Sequence, residues 1–138
     1  DSLPEGSYSM ERDVFPGIAE SGRMAGLEFS GYFVDAGTPD SFIEAAQVCI
    51  KNGRFSSGHS TGDSWFGTGA TSEGEVSGCS IGPGAVVSSG ATLTDCVVLE
   101  GARIGSRAIL KRCLIGEGAL IPDDSNMFGK IIGHGQSE

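Results

Sequence analysis

The sequence is poor in several kinds of residue, and each shortage removes a class of protein. No apolar run approaches the roughly 20 residues that a membrane-spanning helix needs, so we expect no membrane partner. Lys and Arg number 9 against 18 Asp and Glu. The net charge of −9 therefore argues against nucleic acid as a partner. Only His59 and His134 are available as imidazole ligands, too few for a three-histidine metal site.

The fractions of hydrophobic and charged residues are those of a folded, globular protein. Hydrophobic residues make up 38% and charged residues 20% of the 138 residues, enough for one domain or for a small domain plus part of another. The first residues show no signal-peptide pattern, so we expect a cytoplasmic protein. Because the chain begins at Asp1 without a methionine, we also expect it to be a piece of something longer.

A seventeen-residue unit repeats three times over residues 76–126. Within it, large aliphatic residues recur in steps of five, six and six, and a small residue follows each one three or four positions later. Neither a helix nor a hairpin has this period. A triangular coil does, with one aliphatic and one small residue pointing inward on each side, and such units gain a core only by stacking. The aliphatic series is Val76, Ile81, Val87, Leu93, Val98, Ile104, Leu110, Ile115 and Ile121.

Three of the four cysteines occupy one position of the repeat, at Cys79, Cys96 and Cys113. A disulfide or a metal site is one interpretation, since stacked coils lie only about 4.8 Å apart. Alanine fills the equivalent position on the other two sides of the triangle. We therefore expect free thiols that pack inside the coil, in a reducing compartment.

The segment before the repeats has a different pattern. Ser9 is placed to cap a first helix, and two short β-like runs, MAGLEF and GYFVD, follow it. Thr38, followed by Pro39, is placed to cap a second helix with an apolar stripe of Phe42, Ala46 and Cys49.

The composition shifts divide the chain into four parts. Residues 1–53 form the α/β segment, 54–75 a linker or capping loop, 76–126 the coil and 127–138 a C-terminal tail. The stretch FGTGATSEG, within 54–75, is glycine-rich but lacks the lysine of a phosphate-binding loop, so we interpret it as linker.

Residues 9–26 together with GYFVDAGTPDSFIEA resemble the closing segment of the catalytic domain of sugar-1-phosphate nucleotidyltransferases, nearest to the mannose-1-phosphate guanylyltransferase branch. CVVLEGARIGSRAILKRCLIGEGALI is similar to the left-handed β-helix of hexapeptide repeats that follows that domain in the family. The resemblance implies a mainly β fold, in which a left-handed parallel β-helix follows the α/β remnant of a Rossmann-like catalytic domain.

The function implied by this resemblance is a transferase reaction. A nucleoside triphosphate and a sugar 1-phosphate would give an NDP-sugar (GDP-mannose-like) and pyrophosphate, with Mg²⁺ as cofactor. Asp35 matches the family's catalytic, metal-binding aspartate, whereas Ala36 departs from the family's usual larger residue. The family's phosphate loop, second metal aspartate and sugar-phosphate lysine have no match here, so we expect this chain alone to be inactive.

Two other functions remain open. A hexapeptide-repeat acyltransferase would need a general base on a coil, but His59 and His134 both lie outside the three repeats, so we expect no coil to carry a histidine. A non-catalytic assembly module is compatible with the nucleotidyltransferase resemblance, because the β-helix of the nucleotidyltransferase family serves oligomerisation or regulation.

An apolar patch on the outside of the coil favours assembly. Val97, Leu99 and Leu114 are predicted to point outward from one side, where the other two sides carry polar residues. Exposed apolar patches mark partner surfaces, so we expect a homo-oligomer formed through these three residues. The alternative is that the tail folds back over them from Met127 to Ile132.

Overall fold

The computed structural model describes residues 6–137 and divides them into two compact units at Gly31. In the first unit a π-helical turn, Met10–Val14, continues into α1, Phe15–Glu20. The predicted cap is confirmed, because the Arg12 amide donates to Ser9 Oγ at 3.3 Å. None of the helices among the described residues is long and apolar enough to cross a membrane.

The two β-like runs between the predicted helices are not strands in the structure. MAGLEF and GYFVD have no ladder partner among residues 6–137, and a strand exists only where its backbone groups are paired. Large apolar side chains of these runs are exposed, with Leu27 94% and Phe33 85% accessible. The prediction of strands here was therefore wrong for this chain.

The second predicted helix is confirmed as α2, Pro39–Lys51, in the second unit. Its N-terminus has a reciprocal capping box. The Ser41 amide donates to Thr38 Oγ1 at 3.2 Å, and the Thr38 amide donates to Ser41 Oγ at 3.0 Å. Pro39 occupies the first turn, where its missing N–H costs nothing, and Gly53 follows the helix with φ of 61°.

The rest of the second unit is a parallel β-solenoid of about four turns with three flat sides, consistent with a left-handed hexapeptide-type β-helix. Side 1 consists of β1 His59–Thr61, β2 Ser64–Phe66, β5 Ser80–Ile81, β8 Val97–Val98, β11 Leu114–Ile115 and β14 Ile131–Ile132. Side 2 consists of β3 Thr71–Ser72, β6 Val86–Val87, β9 Arg103–Ile104 and β12 Leu120–Ile121. Side 3 consists of β4 Glu75–Ser77, β7 Thr92–Thr94, β10 Ile109–Lys111 and β13 Asn126–Phe128.

The predicted interior is confirmed. Strands of the repeat pair seventeen residues apart, as in Val76↔Leu93 and Leu93↔Leu110, and the aliphatic series fills the core. Val76 is only partly buried, because its strand β4 is the first of side 3 and has no strand beneath it. Each fully buried Ile, Leu or Val contributes about 1.5–3 kcal/mol relative to exposure, which makes this stack the main source of stability.

The coil extends further towards the N-terminus than the repeats predict. The linker interpretation of FGTGATSEG is wrong, because β2 and β3 pair in parallel with β5 and β6. Phe66 pairs with Ile81 and Ser72 with Val87, in each case fifteen positions along the chain, so this coil is two residues shorter than the repeat. Ser72 also places a polar residue at an inward position. The antiparallel strand β1 then caps this end of side 1, as a capping loop would.

The coil also extends into the predicted tail. β13 and β14 stack in register on β10 and β11, with Met127 opposite Leu110 and Ile132 opposite Ile115. Met127 and Ile132 are both buried in the core. The alternative in which this segment folds back over the apolar patch is therefore wrong.

Candidate functional site

Asp35 lies in the exposed loop that leads into α2. Its carboxylate folds over Gly37, whose position for a Cβ atom is 3.3 Å from Asp35 Oδ1. A side chain at position 37 would press on that carboxylate. The glycine therefore leaves room for the carboxylate in this turn, and the capped helix that follows fixes where the turn ends.

The donor set at Asp35 is a single carboxylate. Residues 6–137 contain no group of three or more His, Cys, Asp or Glu side chains close enough to hold a metal ion. Mg²⁺ is typically bound through one or two carboxylates together with substrate phosphates and water, so one aspartate fits as one ligand of such a site. The structure thus places the predicted residue where a ligand can reach it, without other ligands beside it.

The apolar patch of side 1 is not free, because α2 covers it. Val97 is only 4% exposed, and Ile43 of the helix is 2% exposed. Leu114 is half-buried beside Ile43, and Leu99 retains 37% exposure at the edge of the helix. The premise that Val97, Leu99 and Leu114 form an open patch was therefore wrong. The homo-oligomer stays a prediction.

Two polar contacts hold α2 along the corner between sides 3 and 1. Gln47 Nε2 donates to Asp95 Oδ1 at 2.7 Å, and the Arg112 guanidinium donates to Asp40 Oδ1 at 2.8 Å. Glu44 lies 4.0 Å from the same guanidinium. The hydrogen bond to Asp40 raises the pKa of Arg112 above its ordinary value.

An apolar groove of about 400 Å³ lies between α2 and side 1. Phe55 and Trp65 line this groove and stack on each other, with ring centroids 4.1 Å apart and planes 13° from parallel. Ala36, the residue after Asp35, lines the groove together with Phe42. The placement of α2 on the β-helix therefore also sets where the Asp35 loop lies.

The two histidines are closer to the coil than the repeats predict. His59 is on β1 and stacks on Phe66, with ring centroids 5.6 Å apart. His134 follows β14, and its Nδ1 is 3.8 Å from Glu117 Oε2. The expectation that no coil carries a histidine was therefore wrong for His134, because the coil continues past the third repeat.

Cys79, Cys96 and Cys113 are free thiols in one buried column, as predicted. Their sulfurs also accept hydrogen bonds: the Cys96 amide donates to Cys79 Sγ at 3.2 Å, and the Cys113 amide to Cys96 Sγ at 3.5 Å. Ser64 starts the series, since its Oγ accepts from the Cys79 amide at 3.1 Å. A hydrogen bond with Cys96, together with burial, raises the pKa of the Cys113 thiol. Packing alone does not reveal this second role.

The difference between cysteine and alanine at the three corners follows from turn geometry. At the two corners where successive aliphatic residues are six positions apart, the alanine amide closes a turn. For example, the Ala102 amide donates to the Leu99 carbonyl at 3.3 Å. At the corner between sides 3 and 1 the aliphatic residues are only five positions apart. There the amide of each cysteine donates to the side chain at the same position one coil earlier. An alanine in the preceding coil would leave that buried amide without an acceptor.

Comparison with known proteins adds one positive finding. A comparison with curated proteins returned no match. The family described as "GlmU-like, C-terminal hexapeptide" matches residues 45–134, about two thirds of the chain, and this range runs from the middle of α2 through the coils to His134. It does not include Asp35. The β-helix and its family match agree, and the chain belongs to the GlmU-like C-terminal hexapeptide family.

Proposed function

We propose that this chain is part of a sugar-1-phosphate nucleotidyltransferase that makes an NDP-sugar of the GDP-mannose type, with the β-helix serving oligomerisation or regulation. One observation carries the proposal. The GYFVDAGTP loop, which resembles the metal-binding turn of those enzymes, leads directly into a helix docked on a GlmU-like hexapeptide β-helix. The proposal includes a cytoplasmic location.

The proposed reaction transfers a nucleotidyl group. A phosphate oxygen of the sugar 1-phosphate attacks the α-phosphorus of the nucleoside triphosphate, the new P–O bond forms, and the bond to the β-phosphate breaks with release of pyrophosphate. Such a step depends on positioning and charge neutralisation more than on a protein nucleophile. Mg²⁺ supplies that neutralisation when bound. Asp35 would hold it through its carboxylate, in the loop that Gly37 and the capping box of α2 shape.

The test is Asp35→Asn in the complete enzyme, assayed by pyrophosphate release from GTP and mannose 1-phosphate over a magnesium titration. We expect loss of most activity with unchanged secondary structure, since the amide replaces a charged ligand by a neutral one. Glu75→Gln is the control, because Glu75 is an exposed carboxylate on side 3, away from the Asp35 loop and from α2. Near-normal turnover of Asp35→Asn at limiting magnesium would make Asp35 a turn residue and reject the assignment.

A second candidate function rests on the His134–Glu117 pair. A histidine on a coil with a carboxylate oxygen 3.8 Å from its Nδ1 is a candidate general base, the group that a hexapeptide-repeat acyltransferase requires. Both side chains are well exposed, at 77% and 62%, so the pair is not held in a closed site. Acetyl transfer from acetyl-CoA to amino sugars, abolished by His134→Asn, would favour this function over nucleotidyl transfer.

A further inference from the structure

The corner between sides 3 and 1 contains a column of left-handed residues, one per coil. Gly78 and Gly129 have φ of 63° at the two ends of the column, as expected for glycine. Between them Asp95 has φ of 52° and Arg112 has φ of 50°. Left-handed backbone is unfavourable for a residue with a Cβ, and arginine has no local hydrogen bond that compensates.

The side chains at these two positions are the ones that reach α2. Asp95 accepts from Gln47, and Arg112 donates to Asp40. Asp40, Glu44 and Gln47 are spaced i, i+4, i+7 and so share one face of the helix. The polar face of α2 therefore follows the corner column while Ile43 packs on side 1.

The direction of α2 is set by the order of these pairs. Its first turn meets Arg112 and its second half meets Asp95, one coil earlier, so the helix runs against the progress of the coils. Lys51, at its end, lines the same cavity as Gly78, which lies another coil earlier. The 13 residues of α2 extend about 20 Å, and coils are about 4.8 Å apart, so the helix spans the coils that carry these contacts.

Apolar contact alone does not select this register. Side 1 presents similar apolar residues at successive coils, namely Val97, Leu114 and Ile131, so a helix could slide by one coil and still bury its stripe. The corner column is not repetitive, because it reads Gly, Asp, Arg, Gly. A shift by one coil would bring Asp40 towards Asp95 and so replace an ion pair by two like charges.

We propose that Asp95 and Arg112 are positioning residues that hold α2 in one register on the β-helix, and that their unfavourable backbone conformation is retained for this purpose. The inference rests on the contacts of α2 and does not depend on the proposed reaction. It assigns a role to two residues that the repeat itself would allow to be glycine.

The test uses Asp95→Gly and Arg112→Gly in the full chain, with hydrogen exchange of the α2 amides as the readout. Glycine adopts the left-handed conformation without strain and removes the side chain that contacts α2. We therefore expect the melting temperature of the coil to be no lower than in the parent. Exchange of the α2 amides should become faster by about fivefold, as for the loss of one partly exposed polar contact. Trp65, the single tryptophan, lies under the groove and should shift its emission to the red as α2 loosens.

Arg107→Gly is the matched control. Arg107 is also left-handed, with φ of 58°, but its guanidinium pairs with Asp124 on another corner, so its loss should leave α2 exchange unchanged. Arg112→Lys keeps the positive charge opposite Asp40 and Glu44, so it should retain most of the protection of α2. Equal α2 exchange in Arg112→Gly and Arg107→Gly would overturn the inference. So would a loss of coil stability that matches the loss of α2 protection.

Discussion

The amide of Cys96 donates a 3.2 Å hydrogen bond to the sulfur of Cys79, the residue at the same corner one coil earlier. Each coil therefore depends on a side-chain acceptor in the coil before it. The relationship extends from Ser64 to Cys113, and it explains why this corner has cysteine where the others have alanine.

Cys96→Ala should destabilise the coil more than Cys96→Ser. Alanine leaves the buried amide of Cys113 without an acceptor, at a cost of about 1–3 kcal/mol, whereas a serine hydroxyl can accept as Ser64 does. Thermal melts of the two variants measure the difference. Ala91→Ser, on a corner where the amide closes a turn, is the control and should give no such benefit. Equal melting of Cys96→Ala and Cys96→Ser would contradict the acceptor role.

Val98→Ala should lower the free energy of unfolding by about 2 kcal/mol, because it removes buried methyl groups from the middle of the stack and leaves a gap. Val86→Ala is the matched control, since Val86 points outward from side 2 and is only partly buried. Denaturant unfolding of both variants checks the prediction. An effect of the same size at both positions would mean that Val98 does not lie in a close-packed interior.

The coil should lose stability in acid, in part through Asp63. Hydrogen bonds from the Gly78 amide and the Ser77 hydroxyl lower the pKa of its carboxyl below the ordinary 3.8. The unfolded chain then binds the proton first as the pH falls, so the stabilisation is complete above the unfolded pKa. It is lost as the pH drops through the folded pKa. The parent should melt at a higher temperature than Asp63→Asn at pH 6, and the difference between the two melting temperatures should disappear as the pH is lowered to about pH 2.5.

Leu99→Lys tests assembly. Leu99 is 37% exposed at the edge of α2, so the change alters no inward residue of the coil. If the chain forms the predicted homo-oligomer through this edge, a buried unpaired charge should weaken association by several kcal/mol. Light scattering measures the mass of both proteins. Ile109→Lys, an exposed position on side 3, is the control. A monomeric parent, or an unchanged oligomer in Leu99→Lys, would remove the interface from this edge.

The sequence alone determines the interior of the β-helix. Each inward residue stacks on the residue seventeen positions away, so the pattern that defines the coil is repetitive and can be read without knowledge of the rest of the fold. The cap of α2 is also local, since Thr38 and Ser41 satisfy each other's amides within one turn. Asp35 as a candidate ligand comes from the family resemblance of GYFVDAGTP, which is likewise a local motif.

Only the tertiary structure decided what covers side 1 and where the coil begins. The contacts of α2 join residues 48 and 72 positions apart, and no local pattern marks Asp95 or Arg112 as their partners. The first coil is two residues shorter than the repeat and places Ser72 inward, so the seventeen-residue period does not detect it. The patch of Val97, Leu99 and Leu114 was predicted to be open because the sequence shows that the patch and the stripe of α2 are both apolar, but not that they contact each other. Their complementarity exists only once the chain has brought them together.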